Sequence, residues 1–148
     1  MKDLNNRERE NIRKTWKVLA PNIHEFAVTF YSNLHTMDPA LVPTFDSDLD
    51  INKQADKALY SLGFIVASLD NFLVANEGIK KKLNSVFSDH KQIKKPDKDK
   101  VIKAFLMALK STVRQTWNNE IAISWYRLLS LITLIAMEGK IEFEAQLI

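Results

Sequence analysis

The stretch Ile23-His24-Glu25-Phe26-Ala27-Val28-Thr29-Phe30-Tyr31-Ser32-Asn33-Leu34 decides how the rest of the chain is read. Ile23, Phe26, Ala27, Phe30, Tyr31 and Leu34 recur at helical spacing, which gathers them on one face. Pro21 suits the first turn of this helix, where its missing N–H has no intrahelical partner to lose. The helix is expected to end near His35. Upstream, Asn5 is placed to cap an earlier helix, with Glu8 three positions on reaching back to complete a capping box. Ile12, Trp16 and Leu19 form the inner stripe of that helix. Downstream, Pro39 and Pro43 allow only a short helical turn, followed by an irregular loop reaching Ser47 to Asp50.

Further out the pattern repeats as helix, short punctuation, helix. A long helix is predicted from Ile51 to Leu69, with Gln54, Ala58, Ser61, Leu62, Ile65 and Leu69 sharing one face. Gln54 heads this otherwise mostly apolar stripe. After Asn76 and Gly78, the residues Ile79, Leu83, Val86, Phe87 and His90 fall within an arc of roughly 100° on a helix, so His90 points inward with them. Lys91 to Pro96 reads as a polar corner. Another helix is expected over about Asp97 to Trp117, through Val101, Ile102, Phe105, Leu109 and Val113. The last runs from about Asn119 past Met137. Its apolar run from Ile121 to Met137 is interrupted by Ser124, Arg127, Ser130 and Thr133, and at about 17 residues it is short for a membrane span. It reads as a buried helix.

Composition agrees with an all-α single domain. The chain has 148 residues, 46% hydrophobic and 26% charged, with three glycines, four prolines and no cysteine. So few turn-forming residues do not serve a many-stranded β fold, and the apolar fraction excludes a disordered chain. Without cysteine there is no disulfide, thiolate zinc site, cysteine-ligated iron–sulfur cluster or cysteine nucleophile. The charged N-terminus, Met1 to Arg7, lacks the apolar core of a signal peptide, which makes a cytoplasmic location the expectation. The net charge is +3, and the basic residues are uneven, with nine lysines between Lys80 and Lys103. Asp89, Asp97 and Asp99 are interleaved there, and almost no aromatic or Arg side chains stand by for stacking or base reading. This is a solvated basic flank suited to an acidic partner protein rather than nucleic acid.

Gly63, Gly78 and Gly139 build no phosphate-cradling loop, and neither G-x-S-x-G nor H-E-x-x-H occurs. The histidines are His24, His35 and His90, with no pair three or four apart to make a zinc or di-iron site on one helix. His24 and His35 read as surface or helix-end residues. Trp16, Trp117 and Trp125 read as core or rim aromatics. A single inward-facing His can still hold a cofactor that brings its own ligands, and haem needs from the protein only an axial imidazole and a dry slot.

The string from Glu25 to Leu34 followed by Met37 to Phe45 resembles the second helix and following corner of the globin family. The similarity is to bacterial single-domain haemoglobins, flavohaemoglobin globin domains and neuroglobin-like globins. It continues in Leu62 to Asp70 and in Trp125-Tyr126-Arg127-Leu128-Leu129, and so covers nearly the whole chain. The resemblance implies one globin domain over 1–148, about six to eight helices packed around a pocket for haem b (iron protoporphyrin IX). It places His90 on the proximal iron ligand, Phe45 on the haem-stacking phenylalanine, and Tyr31 and Gln54 on the distal hydrogen-bonding pair. Ala58 falls where the family usually carries a bulkier Leu or Val, and Lys57 where it reaches a haem propionate. The implied function is reversible binding of dioxygen, NO or CO by a monomer or homodimer, with no membrane or nucleic-acid partner. NO dioxygenation with a separate reductase, docked at the basic flank, and a haem-less sensor or regulatory globin are the alternatives.

Overall fold

Asn5 starts the first helix as its side chain dictates. Its Oδ1 accepts the Glu8 N–H at 2.8 Å and Glu8 Oε1 accepts the Asn5 N–H at 2.9 Å, a complete capping box. The computed structural model describes residues 3–41, 50–71, 78, 81 and 95–147, and among them all regular structure is helical, with no strand. Helix α1 spans Asn6–Leu19, and a 3₁₀ turn carrying Pro21 leads into α2, Ile23–Met37. Helix α2 outruns its expected end at His35. It stops at Met37 because Asp38 precedes Pro39, whose ring disfavours α geometry in the residue before it, and Asp38 is accordingly extended.

Helix α3 spans Ile51–Ala67, with Asp50 Oδ1 accepting the N–H groups of Asn52 and Lys53 at 3.0 and 3.3 Å. It ends two residues short of the expected Leu69, which instead begins a 3₁₀ turn through Asn71. Helix α4 spans Lys95–Val113, so the polar corner is shorter than expected. Pro96 lies in the first turn of the helix, where proline is tolerated. At the other end Arg114 adopts φ 49°, the left-handed value that terminates helices, so the helix stops at Val113, four residues before the expected Trp117. Helix α5 spans Asn119–Leu147, and Asn118 Oδ1 accepts the Ile121 N–H at 2.8 Å.

Helix α2 packs on α3 and α4, and α1 on α5. Ile12, Leu19, Phe26, Ala27, Leu62, Ile65, Leu109, Trp125 and Leu128 form one core, and Leu34, Leu41 and Ala104 a smaller one. Trp125 is fully buried, while Trp16 and Trp117 pack against the core from its edge. Arg127, the charge inside the apolar run of α5, donates from Nη1 to Glu8 Oε1 and from Nη2 to the Asp3 carbonyl. It ties the capping box of α1 to α5. No helix among the described residues is long and apolar enough to cross a membrane.

The Glu8 carboxylate is nearly buried and serves both the helix cap and Arg127. Glu8→Ala is therefore expected to lower stability by about 2 kcal/mol, combining a lost cap with a charge-assisted bond. Urea unfolding checks this, with Arg7→Ala, whose ion pair with Glu120 is exposed, moving the midpoint far less.

Two exposed ion pairs add a small, local contribution to acid sensitivity. The Lys100 ammonium, bonded to Asp38 Oδ2 at 2.9 Å, holds the Asp38 carboxyl below its ordinary value, and Arg7 does the same to Glu120. Folded values below unfolded ones mean that stability is present above the unfolded pKa and is lost as pH falls through the folded one. Thermal melts are expected to show Tm falling as pH drops below about 4.5, with a shallower fall in Lys100→Met combined with Arg7→Met.

Candidate functional site

A cavity of about 180 Å³ lies among α2, α3, α4 and α5. Phe26, Phe30 and Phe105 form its aromatic wall, and Val101, Ile102 and Ile132 are among its aliphatic residues. The rings are interlocked. Phe26 meets Phe105 edge-on at 4.8 Å, and Phe30 meets both Phe105 and Tyr31 edge-on at 6.0 and 5.2 Å.

Among the polar side chains in this largely apolar lining, two from different helices are bonded to each other. Asp50 fixes where α3 begins, the Gln54 N–H bonds to the Asp50 carbonyl at 2.9 Å, and the Gln54 side chain faces inward at 6% exposure. Tyr31 comes from α2, and its hydroxyl donates to Gln54 Oε1 at 2.9 Å. The structure thus brings the two predicted residues together, and bonds them to each other across 23 residues of sequence. The Gln54 carbonyl oxygen is thus engaged by Tyr31.

Ala58 and Lys57 also line the cavity, Ala58 one helical turn beyond Gln54 with a methyl group that leaves the space open. Ser61, a further turn along, adds a buried hydroxyl that has no hydrogen-bond partner among the described residues. A helical serine ordinarily returns its hydroxyl to the carbonyl four residues back, so the inward-facing stripe alone did not mark Ser61 as a polar point in the cavity. His90 and Phe45 lie outside the described residues. His24 is exposed, with Nε2 2.9 Å from Asn52 Oδ1, and His35 is exposed at the end of α2. Neither faces the cavity.

The described lining combines aromatic and aliphatic walls with one hydrogen-bonding pair and half-buried Lys57, residue types that could hold a largely apolar molecule carrying a carboxylate. No protein-family model matches the chain, and no curated protein is significantly similar to it.

Because Tyr31 and Gln54 bond to one another, their contributions to stability are expected to be coupled. Tyr31→Phe leaves the buried Gln54 carbonyl without this donor and lowers stability by about 1–2 kcal/mol, whereas Tyr31→Phe with Gln54→Leu removes both partners and costs less than the two single changes added together. A double-mutant cycle by chemical denaturation that is additive within error would show that the 2.9 Å contact contributes nothing.

Proposed function

We propose that this chain is a globin, a single domain of about six to eight helices that binds haem b and reversibly holds dioxygen or another diatomic gas. One observation carries the reading: a tyrosine hydroxyl and a glutamine amide, bonded at 2.9 Å, form a polar pair on the wall of a largely apolar cavity. In this proposal His90 would ligate the iron, Phe45 would pack on the ring system, Lys57 would pair with a propionate, and Ala58 would leave room for the bound gas. When bound, haem supplies a ferrous iron for reversible gas binding.

The chain's own residues set selectivity. A polar diatomic accepts a hydrogen bond where carbon monoxide accepts one poorly, so a donor held at that point favours the polar gas. Hydrogen bonds to a group bearing charge contribute about 1.5–3 kcal/mol, on the order of 10- to 150-fold in affinity. Tyr31 acts partly through Gln54, since its hydroxyl fixes the amide's orientation. The phenylalanine walls keep competing water out. The protein is proposed to work in the cytoplasm, and NO dioxygenation by the same pocket requires a separate reductase.

The test begins with a spectrum. The chain reconstituted with haem b is expected to show a Soret band that His90→Gly removes or makes dependent on added imidazole. An unchanged band in that variant excludes His90 as ligand, and failure of the unaltered chain to take up haem leaves the haem-less regulator as the reading. In the haem-loaded protein Tyr31→Phe should speed dioxygen release about tenfold, equivalent to about 1.4 kcal/mol, and carbon monoxide release far less. Equal changes for both gases would mean that Tyr31 governs access alone.

A further inference from the structure

A second concavity, of about 480 Å³, opens outward between α4 and α5. Its apolar lining is Ile102, Leu106, Met107, Trp117 and Tyr126. Met107 and Tyr126 are 46% and 52% exposed, and Ile123, one turn before Tyr126 on α5, is 60% exposed. Large apolar side chains gathered at one groove mark contact sites, and Tyr, Trp and Met are the residue types that interfaces favour.

The charges at this groove are ordered as well. Asp99, Lys103 and Lys110 line it from α4, at helical offsets of 0, 4 and 11, which places them along one side. Lys100 is paired with Asp38, but Lys103 and Lys110 have no ion-pair partner among the described residues. By helix rise their backbone positions stand about 10 Å apart along the axis, and Asp99 about 6 Å before the first of them.

We propose that this groove docks an acidic amphipathic helix of a partner protein. The segment lays apolar side chains between Trp117 and Met107, sets two carboxylates seven residues apart against Lys103 and Lys110, and carries a basic residue four positions beyond the nearer carboxylate, opposite Asp99. The unequal spacing of the three charges gives the bound helix one direction. A second copy of this chain would satisfy fewer of these charges, because a two-fold contact that pairs Asp99 with Lys110 leaves Lys103 without an acidic partner. A membrane surface is poorer still, since a flat sheet does not enter a groove and Asp99 repels anionic headgroups. The proposal is independent of haem binding, as it uses neither Tyr31 nor Gln54.

The test uses the full chain and a fluorescein-labelled synthetic helix, rich in Leu and Ala, with Glu at two positions seven apart and Lys four beyond. Anisotropy is expected to show saturable binding that weakens as salt rises. Lys103→Glu with Lys110→Glu should weaken it at least tenfold, and a peptide with both Glu residues replaced by Lys should restore it. Both substitutions are on the exposed surface, and circular dichroism checks that the fold persists. The proposal is overturned by any of four results. These are no saturable binding, binding indifferent to the double charge reversal, a homodimer in sedimentation that Tyr126→Glu dissolves, or binding of phosphatidylserine vesicles that the double reversal abolishes.

Discussion

The structure depends on a column of rings. Phe26 from α2 meets Phe105 from α4 edge-on at 4.8 Å, and Phe105 meets Trp125 from α5 at 6.0 Å, so three helices separated widely in sequence are locked through one side chain. Aromatic contacts of this kind contribute about 0.5–1.5 kcal/mol each beyond the area they bury. Their further effect is directional. Phe30 leans on Phe105 and Tyr31 on Phe30, so the aim of the Tyr31 hydroxyl at Gln54 is set by packing that begins in the core.

Where the rings do not reach, charges fix the helix ends. Arg127 joins α5 to the start of α1 through Glu8, and Lys100 joins α4 to the end of α2 through Asp38. The two pairs differ in kind. Glu8 is nearly buried and already engaged by Asn5, so losing it strands a partly buried guanidinium. The Asp38–Lys100 pair is more exposed and weaker, yet it holds the corner that leads from α2 toward the residues around Phe45. Both tie elements that flank the cavity without entering it.

The sequence was most legible where one local interaction decides the outcome. Asn5 with Glu8 announced the first cap, and the spacing of Phe26, Phe30 and Tyr31 announced the inner face of α2. Helix ends were harder because they turn on single backbone states. Nothing in the residue type of Arg114 signals φ 49°, and Met37 closes α2 through the ring of a proline two residues on. At the site, the inward phase of Gln54 and Tyr31 was readable, but not that their first partners are each other. That depends on the distance between two helices, which periodicity within one helix does not encode. The α4–α5 groove was hidden for a related reason. Met107 and Tyr126 look like ordinary members of amphipathic helices until packing leaves them uncovered.

A buried tyrosine–glutamine bond is a curious way to hold two helices together. The net contribution of such a bond is about 0.5–1.5 kcal/mol, and an apolar pair of similar shape serves an apolar wall about as well. Phe26, Phe30 and Phe105 already supply the packing on that wall. Stability alone therefore gives little reason for an amide at 6% exposure there. What the pair adds is a fixed orientation: the Tyr31 hydroxyl engages the carbonyl oxygen of Gln54, which keeps the amide from flipping and sets where its N–H bonds point. An oriented donor in a dry cavity is strong because little competing water surrounds it. The pair therefore fixes the relative rotation of α2 and α3 at the cavity wall, which an apolar pair of the same shape would not do.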